Sequence, residues 1–146
     1  MARRAGTGRF AKGEQELKLA LLSGTYAICR MSPDEGLPAW VQRAGELLSV
    51  TLTPDEISVV CPSRSVPEGI RCDRGWAALK VEGPLPLQMT GVLSALVVPL
   101  SEADIPVFAV STFDTDYLLI KRDDLPVARS ELEQFGHRIC LGKDRG

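Results

Sequence analysis

The sequence lacks most of the features that enzymes and metal proteins rely on. It has one histidine among 146 residues, His137, and no serine, cysteine or acid is spaced to work with it as a nucleophile–base pair. Its four cysteines form no CxxC pair, so the sequence contains neither a zinc motif nor a disulfide framework. Neither common glycine-rich phosphate loop occurs. We therefore expect no enzyme activity, no metal and no cofactor.

Long apolar runs and secretion signals are also missing. The longest nearly unbroken apolar run, residues 92–100, is far shorter than the roughly 20 residues that span a bilayer. Residues 1–12 carry four basic groups but no apolar segment typical of a signal peptide. We expect a cytoplasmic protein that does not bind membranes, with residues 1–15 as a flexible tail.

Basic charge is concentrated in that tail. Four of the 17 Lys and Arg lie in residues 1–12, so the remaining chain has 13 Lys and Arg and 19 Asp and Glu. An acidic body lacks the positive surface that binds a phosphate backbone, and nucleic acid is therefore not expected as a partner. With 45% apolar and 25% charged residues, the composition is typical of a globular protein.

Hydrophobic periodicity and turn residues predict an α+β chain. A helix is expected over 90–103, with Thr90 as N-cap and Pro99 bending or splitting it. A second helix is expected from 123 or 124 to 135, and a shorter one over 39–47. Strands are predicted at 17–22, 26–31, 48–53, 56–61, 76–81, 106–112, 117–121 and 137–141.

Two parts of the chain resemble each other. At an offset of 60 residues, Val50 matches Val110, Thr51 matches Ser111 and Glu56 matches Asp116. The repeat predicts two ferredoxin-like βαββαβ modules in tandem, the first with a shortened first helix. We expect these modules to span 16–70 and 71–146.

The second copy has a polar corner between its middle strands, residues 111–116. Its acids and hydroxyls suit an ammonium group, whereas the amides at the helix start near Gly91 suit a carboxylate. Two simpler interpretations remain open from the sequence alone. Gly91 can merely relieve crowding at the helix start, and Asp114 and Asp116 can merely cap a tight turn.

Residues 79–85, 90–93 and 111–119 together resemble the ACT domain. The match is closer to the tandem form found in the regulatory part of aspartate kinases and in the cytosolic arginine sensors of the TOR pathway. Residues 38–40 and 53–58 also resemble a small bacterial family of stand-alone tandem ACT proteins.

The resemblance implies a regulatory protein that binds an amino acid or a similar small ligand, commonly as a homodimer. The alternative is a dimerisation or interaction module without a ligand. The ligand-binding residues that it implies are Met89, Thr90, Gly91, Val92, Leu93, Ser111, Thr112, Phe113, Asp114, Thr115 and Asp116.

Overall fold

A computed structural model describes residues 16–83, 85 and 90–141. Its strands and helices confirm the predicted α+β class. The β-strands are β1 (Lys18–Leu21), β2 (Tyr26–Met31), β3 (Ser49–Leu52), β4 (Ile57–Pro62), β5 (Cys72–Val81), β6 (Phe108–Ser111), β7 (Asp116–Lys121) and β8 (Arg138–Leu141). The α-helices are α1 (Val92–Glu102) and α2 (Leu125–Gln134).

The contacts of the chain divide it into two compact units. The inserted unit is Ser23–Ala77, and the discontinuous unit combines the segments before and after it. Strand β5 crosses the boundary, so its first residues belong to the inserted unit and its last four to the discontinuous unit. This grouping places residues 16–22 and 71–77 differently from the sequence-based module boundaries, which stay a prediction.

The inserted unit has strands in the order β3-β4-β2-β5, with antiparallel pairing throughout. The helix predicted over 39–47 does not form, and this segment consists of turns and irregular chain. Gly45 within this segment has φ of 62°, a left-handed conformation that a right-handed helix cannot include. The core of the unit is formed by Ala27, Cys29, Ile57, Val59, Cys61 and Val66.

The discontinuous unit contains the predicted β-α-β-β-α-β order, from β5 through α1, β6, β7 and α2 to β8. Strand β1 pairs in parallel with β8 and antiparallel with β5, and β7 pairs with β5 and β6. One face of these strands packs against both helices. The fully buried residues of this core include Leu19, Leu79, Val81, Leu96, Leu100, Leu118, Ile120 and Leu132.

Helix α1 differs from its prediction at its start. The residue that caps it is Gly91, with φ of 83°, rather than Thr90, which is exposed. This left-handed conformation is easily adopted only by glycine, so the backbone itself requires Gly91. Pro99 is buried within α1 and does not split it.

The two copies of the hairpin align at an offset of 59 residues, not 60. Adding 59 to the residue numbers of β3 and β4 gives the bounds of β6 and β7. The Leu52–Ile57 pair next to the first turn then corresponds to the Ser111–Asp116 pair next to the second. The offset of 60 matched residues of similar type, such as Val50 with Val110 and Thr51 with Ser111, but it was one residue too long. A slip of one residue along a strand assigns every side chain to the opposite face.

Candidate functional site

The polar corner is a tight turn that connects β6 to β7 and is closed by Thr112. The Thr112 amide and hydroxyl both donate to the carbonyl of Thr115, at 2.8 and 3.0 Å. In return, the Thr115 amide donates to the Thr112 hydroxyl at 3.2 Å. A threonine side chain that satisfies nearby backbone groups in this way stabilises a turn without help from the rest of the protein.

Two further hydrogen bonds attach the corner to the end of β5. The Thr115 side chain is buried, and its hydroxyl donates to the Val81 carbonyl at 2.6 Å. The Leu85 amide donates to the Asp114 carbonyl at 2.7 Å. Between them lies Gly83, where an added Cβ would be 3.1 Å from the Asp114 carbonyl oxygen and 3.3 Å from Thr115 Cβ. The corner is therefore held in one position against the loop that follows β5.

The two carboxylates of the corner have different surroundings. Asp116 accepts a 2.7 Å hydrogen bond from the hydroxyl of Ser111, its partner across the strand pair. Asp114 is exposed at the tip of the turn, beside Phe113, which is 78% exposed. Asp116 thus contributes to the hairpin itself, whereas the Asp114 carboxylate is presented to the surroundings by a fixed backbone.

The first hairpin repeats this turn chemistry at the 59-residue offset. Thr53 closes its turn as Thr112 does, with its amide donating to the Glu56 carbonyl at 3.0 Å and its hydroxyl accepting from the Glu56 amide at 3.1 Å. Asp55 is the counterpart of Asp114. Its carbonyl accepts a 3.0 Å hydrogen bond from the guanidinium of Arg30, which also lies 3.9 Å from the Glu56 carboxylate.

Both hairpins therefore have the same type of turn. The two turns differ in the groups that hydrogen-bond to them. In the first, a cation of the chain itself binds at the turn. In the second, the Asp114 carbonyl is bound by the Leu85 amide, and the position of Glu56 is taken by the buried Thr115.

Comparisons with known proteins identify one domain of the chain. A family model described as an ACT domain matches residues 71–134, and a model for an N-terminal domain matches residues 24–69. The crystal structure of protein Atu0741 from Agobacterium tumefaciens is similar at 39% identity and a TM-score of 0.81, covering 87% of this chain and 94% of that one. The chain contains an ACT domain over residues 71–134.

Two more distant similarities accompany this assignment. Aspartate kinase from Clostridium acetobutylicum shares the fold at 10% identity and a TM-score of 0.63, and the match covers 86% of this ACT-domain protein but 35% of the kinase. The human protein CASTOR3P is 28% identical over 94 residues, which is 56% of this chain. The match spans 58% of the length of that human protein.

The residues implied by the resemblance fall into two groups in the ACT-domain protein. Hydrogen bonds join the corner residues Ser111, Thr112, Asp114, Thr115 and Asp116 to one another or to the loop after β5. The second group lies at the start of α1, where Thr90 is exposed, Gly91 and Leu93 are half-buried and Val92 is buried.

Residues 86–89, which precede α1 in the sequence, lie outside the described part of the structure. Met89, expected in the ligand pocket, lies among these residues and outside the described part. The support that Gly83, Val81 and Leu85 give to the corner was not predicted. A glycine two residues after a strand was the available signal for Gly83, but nothing in the sequence pairs Thr115 with Val81.

The one histidine of the chain, His137, is buried at 2% exposure. His137 Nδ1 accepts a 3.2 Å hydrogen bond from the Leu17 amide, and the ring also hydrogen-bonds the backbone of Ala95. Burial lowers the pKa of His137 below its ordinary value. The imidazole therefore connects the start of β1 to α1 as a neutral group.

Metal-binding clusters and membrane-spanning helices are absent from the described residues. Within residues 16–83, 85 and 90–141, no group of three or more His, Cys, Asp and Glu side chains can hold a metal ion. Among the helices in that part of the chain, none is both long and apolar enough to cross a membrane.

Proposed function

We propose that this ACT-domain protein is a regulatory protein that binds an amino acid or a similar small ligand and has no catalytic activity. The observation that carries the proposal is the exposed carboxylate of Asp114 on a turn whose backbone is fixed by hydrogen bonds. An ammonium group pairs favourably with a carboxylate that is already positioned, because little further ordering is needed on binding.

The helix start supplies the complementary half of the site. The amides at the start of α1 carry the partial positive charge that attracts a ligand carboxylate. Gly91 caps α1 but has no side chain, so these amides receive no side-chain cap. We place the ligand side chain against Phe113, because covering an aromatic ring that is 78% exposed lowers the free energy of the complex.

The repeated turn supports a tandem arrangement of two ACT modules. We propose a relationship to the regulatory part of aspartate kinases and to cytosolic arginine sensors on the same grounds. Arg30 at the first corner illustrates the chemistry, because it shows that a turn of this type accepts a cation on its carbonyl and carboxylate oxygens. In the second corner, we assign the cation to the ligand, and its partner is the Asp114 carboxylate.

Thermal unfolding with each of the twenty amino acids at millimolar concentration tests this function. A ligand at about 1,000 times its dissociation constant adds roughly 4 kcal/mol to the free energy of unfolding. For a chain of this length, the melting temperature then rises by several degrees. A melting temperature that no amino acid moves would count against the proposal. Mass spectrometry of a ligand released by denaturing freshly purified protein would identify a compound outside the twenty.

The alternative function, an interaction module without a ligand, is favoured by one feature of the inserted unit. Strand β3 lies at the end of the strand order, and its side chains Val50 and Leu52 are 36% and 64% exposed. Exposed apolar edge strands readily pair with another chain. We propose a cytoplasmic homodimer in either case. Light scattering of the wild type and of Leu52→Lys measures the mass directly, and a dimer that persists in the variant would exclude this edge as its interface.

A further inference from the structure

Three of the four cysteines meet on one face of the inserted unit. Cys29 lies on β2, Cys61 on β4 and Cys72 on β5, and the Cys29 thiol is within hydrogen-bonding reach of both others. All three are free thiols, and within the described residues they do not form a metal-binding group. The strand order β4-β2-β5 brings these three cysteines together although they are far apart in the sequence. Their spacing along the sequence therefore did not indicate a cluster.

The strand register makes one of these pairs suitable for a disulfide. Cys29 and Cys72 are direct partners in the antiparallel β2–β5 pair. The Arg30 amide donates to the Arg71 carbonyl at 3.0 Å, so the cysteines occupy the adjacent, non-hydrogen-bonded position. Cα atoms at such a position are about 4.5 Å apart. This separation lies within the range of roughly 4.4–6.8 Å that a disulfide requires.

The same argument excludes Cys61 as the disulfide partner of Cys29. Cys29 faces Val59 on β4, and Cys61 lies two residues further along that strand and faces Ala27. Diagonal neighbours of this kind are about 7–8 Å apart, which exceeds the disulfide range without movement of the backbone. Cys61 can therefore hydrogen-bond Cys29 but not close a bond with it in the folded chain.

Burial separates the roles of the two partners. Cys29 is 1% exposed, whereas Cys72 is half-buried at the first residue of β5. The hydrogen bond with Cys61 and burial raise the pKa of Cys29, so this thiol keeps its proton. A reagent from solution therefore reaches Cys72 first, and Cys29 reacts second.

We propose that Cys29 and Cys72 form a redox-active dithiol that low-molecular-weight disulfides, of the glutathione disulfide class, oxidise to a cross-strand disulfide. The Cys72 thiolate attacks one sulfur of the reagent, forms a mixed disulfide and releases one thiolate. Cys29 then loses its proton and attacks the Cys72 sulfur, which releases the second thiolate. The protein gives up two electrons and two protons, and the reagent becomes two thiol molecules.

The test is an equilibrium titration of the folded full-length chain with mixtures of oxidised and reduced glutathione. Free thiols are then blocked by alkylation, and peptides are mapped by mass spectrometry. We expect a Cys29–Cys72 cross-link that increases with the ratio of oxidised to reduced glutathione and disappears with dithiothreitol. A Cys29–Cys61 or Cys61–Cys72 cross-link, or the absence of any intramolecular disulfide at every ratio, would overturn the proposal.

Three single variants separate the roles of the thiols. Cys29→Ser should accumulate one glutathione on Cys72, because the second step is blocked. Cys61→Ser is the matched control within the cluster and should still form the Cys29–Cys72 disulfide. Cys140→Ser, at the exposed cysteine of β8, should also leave that disulfide unchanged. Loss of the cross-link in Cys61→Ser, with its fold intact by circular dichroism, would contradict the assignment of the pair.

Discussion

The buried hydroxyl of Thr115 donates a 2.6 Å hydrogen bond to the backbone carbonyl of Val81. This bond attaches the polar corner to the end of β5. Thr115→Val keeps the shape of the side chain but removes the donor, so we expect a loss of about 1–3 kcal/mol in the free energy of unfolding. Urea denaturation measures this loss. Thr115→Ser keeps the hydroxyl and should lose less, and an equal loss in both variants would show that methyl packing stabilises the corner instead.

At the 59-residue offset Gly24 corresponds to Gly83, and the chain requires these two glycines for different reasons. Gly24 has φ of 79° and nothing within 4 Å of an added Cβ, whereas Gly83 has backbone atoms 3.1 Å from that position. Asparagine tolerates the left-handed conformation better than other side chains, so Gly24→Asn should be mild. Gly83→Asn should cost about 1–3 kcal/mol, because its side chain pushes against Asp114 and Leu85. The free energies of unfolding of both variants in urea check this difference.

If Gly24→Asn proved as costly as Gly83→Asn, crowding at Gly83 would not be the cause. A melting temperature for Gly83→Asn within error of the wild type would likewise show that the corner can move away from the loop.

Stability should fall on acidification through His137. Burial lowers its pKa in the folded state, while the unfolded chain keeps a value of about 6.5. The unfolded state therefore binds the proton more readily. The contribution of His137 to the free energy of unfolding is fully present above about pH 6.5. It is lost as the pH falls from there through the folded-state pKa.

His137→Asn checks this pH dependence, because the amide oxygen can still accept from the Leu17 amide without titrating. We expect a smaller drop in unfolding free energy between about pH 7.5 and about pH 5.5 than in the wild type. Since the chain has one histidine, no other imidazole contributes to the difference. If the unfolding free energies of wild type and His137→Asn changed equally with pH, His137 would not contribute to the pH dependence of stability.

Much of the fold could be predicted from the sequence because its second half follows local rules closely. The helical spacing of apolar residues in α1 and the position of Gly136 after α2 predicted both helices to within a few residues. The helix over 39–47 does not form although Trp40 and Val41 pack against a core, because Gly45 adopts a left-handed conformation that the apolar pattern does not reveal. The placement of β1 between β8 and β5 was not predicted either, since it depends on pairing between segments far apart in the chain.

The candidate site was predictable as a set of residue types but not as a geometry. An offset of 60 matched Glu56 with Asp116 and left Asp114 without a counterpart. The turns closed by Thr53 and Thr112 give an offset of 59, which matches Asp114 with Asp55. Asp114 therefore has a matched control in its own chain. The support from Thr115 and Gly83 depends on contacts across the sheet and could not be inferred from spacing.

The central claim is that the Asp114 carboxylate binds the ammonium of a small ligand. Calorimetric titration tests it most directly, with the amino acid that raises the melting temperature most as the probe and wild type, Asp114→Asn and Asp55→Asn as the proteins. Loss of a charged hydrogen bond should weaken binding about tenfold or more in Asp114→Asn, while Asp55→Asn should match the wild type. Unchanged affinity in Asp114→Asn, or an equal loss in both variants, would contradict the claim.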